Sequence, residues 1–175
     1  MKIALLGPPG SGKGTQAEFL VKDYKLDYIY PGEMLREEMK KDTMIGKSVK
    51  VFISKGDLVP TQFVVEVVKL ALNGKEDYLL DGFPRSYNQL KQAKEIPINI
   101  VIYIKISEEE VLKRLTKRKR DDDNVETIKH RYRVYMDATE PVIEYYKNEG
   151  ILHEINGEQS IEDVYKDIKK VIEKL

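Results

Sequence analysis

Gly7-Pro8-Pro9-Gly10-Ser11-Gly12-Lys13-Gly14-Thr15 stands directly behind the apolar run Ile3-Ala4-Leu5-Leu6. Read from Gly7, the stretch is G-x-x-x-x-G-K-[ST], a phosphate-binding loop set between a strand and a helix. Closely spaced glycines let the backbone curl around a phosphate chain, so that N–H groups at Gly10, Ser11, Gly12, Lys13 and Gly14 and the N-terminus of the next helix face one anion. Lys13 is placed to reach the β- and γ-phosphates, and the Thr15 hydroxyl to ligate Mg²⁺. Lysine, hydroxyl and strand-then-helix context agree, which implies a site for a nucleoside triphosphate.

The rest of the composition narrows the class. A chain of 175 residues is expected to be one domain, able to bury about 70% of its unfolded surface without staples. There is no cysteine, which excludes a thiolate zinc site and a disulfide framework and fits a reducing cytoplasm. Lys+Arg and Asp+Glu are equal at 30 each, so no global field draws the chain to nucleic acid or an anionic membrane. The apolar run after Met1-Lys2 ends at the glycine loop before it could serve as a signal or membrane segment. The expectation is a soluble, cytoplasmic monomer whose partners are small molecules. The Lys/Glu-heavy 34% of charged residues resembles thermophile surfaces.

Short apolar runs alternate with longer helix-period segments, the pattern of a parallel sheet covered on both faces. Strands are expected at 2–6, about 27–30, 78–81, 99–106 and 151–155. Helices are expected at 14–21, 33–40, 45–55 with Gly56 as C-cap, and 61–73 with Phe63, Val64, Val67, Val68 and Leu72 on one face. Ser107-Glu108-Glu109-Glu110 reads as a capping box, and Asp123-Asn124-Val125-Glu126 as another helix start. After Ser160, Ile161, Val164, Ile168, Val171 and Leu175 recur at helical spacing and read as core packing.

Tyr78-Leu79-Leu80-Asp81 is a buried-strand run ending in the kind of carboxylate that orients magnesium, often through its water ligands. It continues as Gly82-Phe83-Pro84-Arg85, and D-G-F-P-R is a rare pentapeptide. Here the chain resembles the adenylate kinase branch of the nucleoside monophosphate kinases. The resemblance runs through G-P-P-G-S-G-K-G-T-Q (Gly7 to Gln16), G-E-M-L-R (Gly32 to Arg36), G-D-L-V-P (Gly56 to Pro60), D-G-F-P-R (Asp81 to Arg85) and D-D-N (Asp122 to Asn124), over essentially the whole chain.

That resemblance implies a P-loop NTPase α/β fold: a five-stranded parallel sheet flanked by helices, a helical acceptor-binding insertion near 31–60 and a vestigial lid near 117–123. It implies Mg²⁺-dependent phosphoryl transfer from ATP to AMP, without zinc, in adenine nucleotide homeostasis. Arg36 and Arg85 would clamp the acceptor monophosphate; Arg114 would stack on the donor adenine and Arg118 touch donor phosphates; Arg120 and Arg131 would embrace the transferring group. Guanidinium forks suit these roles because they match phosphate oxygens bidentately and keep their charge. Asp122 and Asp123 resemble acids that orient those arginines. Relatives with a lid of roughly thirty residues carry it between the positions of Arg118 and Arg120, which only Lys119 separates here.

The acceptor side would also draw on Pro31, Gly32, Asp57, Leu58, Val59, Gly82, Phe83, Pro84 and Gln89, the Gln89 amide matching N1 and the exocyclic amine of adenine. The turn at 156–159, including Gln159, would back the donor adenine mainly with main chain. Two positions depart from the family pattern: Pro31 replaces a hydroxyl residue and Glu33 an aspartate. His130 and His153 have no metal-ligand spacing and read as structural, as do the 11 tyrosines. A UMP/CMP kinase on the same fold is the nearest alternative. A P-loop switch without phosphotransfer is disfavoured because the guanine-reading N-K-x-D motif is missing.

Overall fold

A computed structural model describes residues 1–41, 43–118 and 124–174, with Arg118 described in its backbone alone. Leu175, Lys119, Arg120, Asp122 and Asp123 therefore lie outside the described residues, as does the Arg118 side chain.

Five strands, β1 (Lys2–Leu6), β2 (Asp27–Ile29), β3 (Tyr78–Asp81), β4 (Ile100–Lys105) and β5 (Leu152–Asn156), form one parallel sheet in the order β2-β3-β1-β4-β5. Ile3, Leu5, Leu79, Ile102 and Ile104 feed one face of the core, while Ala4, Leu6, Leu80, Val101 and Tyr103 feed the other. This alternation is the period of two expected of strands buried on both faces. The helices α1 (Lys13–Tyr24) and α8 (Ile161–Ile172) cover the first face. The second is covered by α4 (Thr61–Leu72), α5 (Tyr87–Gln92) and α7 (Val125–Asn148). Between β2 and α4 the chain inserts α2 (Pro31–Lys40) and α3 (Met44–Lys55), packed on each other, and α3 ends at Gly56 in the left-handed region, as its sequence predicts. The helix α6 (Glu108–Arg118) packs on α7 through Val111, Leu115 and Ile128.

Three local expectations are modified. Ser107 does cap α6, its Oγ accepting from the Glu110 N–H at 3.3 Å, but the reciprocal half of the capping box comes from elsewhere. The Ser107 N–H donates to Glu158 Oε1 at 2.8 Å, and Glu110 turns instead to Lys113 and Arg114. On α8, Val164, Ile168 and Ile172 form the buried stripe, whereas Ile161 is about half exposed because it sits one residue beyond the Ser160 cap. On α4, Val65 joins the buried face. Asn124 caps α7 as read, its Oδ1 accepting from the Thr127 N–H at 2.8 Å.

Strand order reverses about β1, and ligands of open α/β sheets bind outside the carboxyl ends of the strands at such a point. The register pairs Leu5 with Asp81, so the acid ending β3 stands beside the entrance of the loop that follows β1.

Candidate active site

Gly12, the N-cap of α1, has φ 92°, a left-handed conformation that glycine adopts at little cost. No side chain caps this helix, so its first N–H groups face outward from the loop, the arrangement that receives phosphate. Lys13 Nζ donates to the carbonyls of Gly7 at 2.7 Å and Pro8 at 3.0 Å and to Ser11 Oγ at 3.2 Å, which draws the loop closed beneath its own ammonium. Ser11 is buried and serves the loop's internal structure.

The loop opens into a cavity of about 460 Å³, within the range of small-molecule sites. Gly10, Gly12, Lys13, Gly14 and Thr15 of the loop line it. So do Pro31, Gly32, Arg36, Asp57, Leu58 and Val59 of the insertion, together with Asp81, Gly82, Arg85, Gln89, Arg114 and Arg131. Residues spread over more than a hundred positions of sequence thus face one space.

Asp81 is buried beside the loop. Its Oδ2 accepts from the Tyr28 phenol at 2.8 Å, and its Oδ1 has no hydrogen-bond partner among the described residues. Burial, and then the negative charge of Asp81, push the Tyr28 phenol well above the ordinary tyrosine range, so it remains a donor to the carboxylate. A buried carboxylate oxygen without a partner is costly, and a hydrated cation is the kind of group that satisfies it. Thr15 and Asp81 therefore fit a hydrated Mg²⁺. Among the described residues no group of three or more His, Cys, Asp or Glu side chains forms a direct metal cage.

Arg85 is fixed at both ends. Its Nε donates to the Gly82 carbonyl at 2.6 Å, its N–H to Gln89 Oε1 at 2.7 Å, and its carbonyl accepts from the buried Thr139 hydroxyl at 2.8 Å. The Gln89 amide is almost fully buried, and one lone pair of its oxygen is already used by Arg85. Ser86 caps α5 and so sets the turn that carries Gln89 to the cavity. Arg36 Nη1 donates to the Gly32 carbonyl at 3.2 Å and to the Tyr30 phenol at 3.4 Å. Arg131 leans on the insertion, where a Cβ at Gly56 would lie 2.5 Å from its Cγ.

Arg114 ties three segments together. Its Nε pairs with Glu110 at 2.7 Å, Nη2 donates to the Gly157 carbonyl at 2.8 Å and Nη1 reaches the Gly10 carbonyl at 3.5 Å. The guanidinium thus lies between the loop and the turn after β5. In that turn the Gln159 amide donates to the Asn156 carbonyl and to Asp167, which leaves main chain as the turn's offering to a ligand. Phe83 and Pro84 are buried, Phe83 in the core beneath the cavity. His130 has a partner that its sequence context did not reveal: its ring Nε2 lies 2.6 Å from Asp57 Oδ1, joining α7 to the loop after α3. Tyr30 and Tyr135 also line the cavity. The only sequence signal for Tyr30 was its place two residues after Tyr28 and immediately before Pro31-Gly32.

A P-loop at the end of β1, an acid at the end of β3 and cationic side chains around one cavity place the molecule in the class of P-loop nucleotide kinases. The profile of the Adenylate kinase family matches residues 5–151. An adenylate kinase of Prochlorococcus marinus (strain MIT 9515) is 42% identical over 175 residues, covering 96% of this chain and 96% of the relative. One of Archaeoglobus fulgidus is 37% identical over 215 aligned positions, covering 100% of this chain and 99% of the relative. One of Bacillus velezensis is 37% identical over 213, covering 98% of each. The chain belongs to the adenylate kinase family, whose members use ATP and Mg²⁺.

Proposed function

We propose that the cavity divides into a donor end over the P-loop and an acceptor end under α2 and α3, and that the named side chains perform the family reaction across it. As an adenylate kinase, the chain catalyses reversible transfer of the γ-phosphoryl group of ATP to AMP, giving two ADP. The bond from Pγ to the β-bridging oxygen breaks, and one from Pγ to an AMP phosphate oxygen forms. That acceptor oxygen is already ionised, so no general base is needed, and catalysis consists of positioning and charge stabilisation.

Main-chain N–H groups at the start of α1 hold the donor phosphates, with Lys13 following the charge as it moves. Arg114 and the turn at 156–159 flank the donor base. Arg36 and Arg85 hold the acceptor phosphate, cancelling the repulsion between two anionic substrates, and Arg131 with Arg118 and Arg120 surrounds the transferring group. Mg²⁺, when bound by Thr15 and through water by Asp81, supplies charge neutralisation at the β- and γ-phosphates. Gln89 reads adenine, its Nε2 donating to N1 while its oxygen, already accepting from Arg85, takes the exocyclic amine on its second lone pair.

The observation that carries this reading is the convergence of Arg36 and Arg85 on the space that the P-loop opens into. The alignments to the Archaeoglobus and Bacillus relatives run to 215 and 213 positions against the 175 residues here, so those relatives carry segments that this chain lacks, as the reading of a short lid near 117–123 requires. The chain acts as a monomer in the cytoplasm; the absence of cysteine and the balanced charge support this, and no described helix is long and apolar enough to cross a membrane. The test is a coupled assay with ATP against AMP, CMP and UMP. Strong preference for AMP is expected, and preference for CMP or UMP would return the acceptor pocket to the pyrimidine kinases.

A further inference from the structure

Pro31 opens α2, and a residue before proline is held out of the helical region, so Tyr30 stays extended at φ −120° and ψ 90°. Its side chain therefore keeps the period of two that began at Tyr28, and the rings lie 6.2 Å apart with planes tilted by 33°. Gly32 leaves room for the second ring: a Cβ there would lie 2.8 Å from Tyr30 Cε2 and 3.3 Å from its oxygen. Half-buried in this way, Tyr30 lines the cavity, and its oxygen receives Arg36 Nη1 at 3.4 Å. Tyr28, from the same edge, donates to Asp81.

We propose that Tyr30 is a positioning residue for the acceptor phosphate: its phenol oxygen and the Gly32 carbonyl together turn the Arg36 guanidinium into the cavity that Arg85 also lines, so the two cations meet an incoming phosphate as a preformed pair. This rests on the reading of Arg36 and Arg85 as the acceptor clamp. Preorganisation of this kind lowers the ordering cost of binding and so acts on substrate affinity more than on the chemical step. The two phenols at positions 28 and 30 then serve opposite ends of the reaction, one steadying the acid that fits the metal and the other steadying an acceptor arginine.

The charges around the ring agree with this placement. Burial raises the Tyr30 phenol, but the guanidiniums of Arg85 and Arg36 outweigh it and hold the group below the ordinary value of 10.0. Asp81 on β3 opposes them, while Glu33 on α2 and Tyr28 on β2 are the other ionisable neighbours of the tyrosine pair. A phenolate at Tyr30 pairs with both guanidiniums and competes with the AMP phosphate.

The experiment is steady-state kinetics of wild type, Tyr30→Phe and Arg36→Ala with both substrates varied between pH 7 and pH 10. Tyr30→Phe keeps the ring against Gly32 and removes the oxygen. It should raise KM for AMP about three- to tenfold, the scale of one net hydrogen bond, with smaller changes in kcat and in KM for ATP. In wild type KM for AMP should climb at the alkaline end, and in Tyr30→Phe that climb should flatten. A variant with wild-type KM for AMP and an unchanged alkaline climb would overturn the proposal, as would an equal rise in both KM values. Arg36→Ala separates the two levels: if it leaves KM for AMP unchanged, the acceptor clamp itself is wrong, whereas a large rise there beside a silent Tyr30→Phe rejects the tyrosine alone.

Discussion

At the P-loop end of the cavity the groups proposed to meet the donor phosphates are main-chain N–H groups around Gly12 and the side chains of Lys13 and Thr15, all from one short stretch. Those proposed to meet the acceptor and the transferring group are side chains drawn from α2, the loop after β3, α5 and α7, namely Arg36, Arg85, Gln89 and Arg131. A polyphosphate has a fixed shape and charge, so backbone of one curvature can receive it. An acceptor nucleotide must be gripped at its phosphate and also distinguished at its base, which needs functional groups at several angles and hence several elements. The donor-phosphate site is accordingly local in sequence, whereas the acceptor end, like the contact of Arg114 with the turn at 156–159, exists only once the sheet has formed.

The largest expected effect lies at the local end. Lys13→Ala removes both the moving positive charge and the three contacts that close the loop. It should lower kcat by about a hundredfold or more with native circular dichroism. Near-wild-type turnover in a folded variant would mean that backbone alone suffices there.

At the dispersed end, Gln89→Ala should leave Arg36 in place and reduce kcat/KM for AMP by about ten- to a hundredfold, from roughly 1–3 kcal/mol of lost hydrogen bonding. Part of any loss will come through Arg85, whose N–H loses its acceptor. Comparison of AMP with CMP and UMP separates the two effects, because a loosened Arg85 weakens all three alike. Retention of full AMP preference would show that another group reads the base.

The same contrast explains what was legible from sequence. The P-loop, the strand ending in Asp81 and the parallel α/β sheet follow from contiguous patterns, and the register then brings Asp81 beside the loop. D-G-F-P-R could be recognised as a unit, yet its members do different work: Arg85 lines the cavity while Phe83 is wholly buried in the core. Tyr30, the Asp57–His130 pair and the capping of Ser107 by Glu158 escaped because each depends on contacts made in space, in the latter two cases across 73 and 51 positions. Tyrosine and histidine carry no motif of their own, and a capping box is satisfied equally well by a carboxylate from a distant turn.

The smallest expected effect concerns that distant carboxylate. Donation from Ser107, first from its N–H, holds Glu158 below the usual carboxylate value of 4.5. Its contribution to stability is therefore fully present above the unfolded value and lost as pH falls through the lower folded one. Glu158→Gln should lower Tm at neutral pH by at most about 2 °C, and the gap from wild type should close below about pH 4.5, as thermal melts across pH would show. A gap that persisted unchanged into acid would assign Glu158 no charge-dependent role.

The division into a donor and an acceptor end is tested most directly by varying ATP and AMP independently in Arg36→Ala and Arg114→Ala. Each variant removes one guanidinium from one end, and a charge-assisted contact to phosphate or base is large enough to show as a tenfold change or more. The expected result is a rise of about tenfold or more in KM for AMP alone with Arg36→Ala, and in KM for ATP alone with Arg114→Ala. A rise in the same KM for both variants, or the reverse pairing, would contradict the assignment of the two ends.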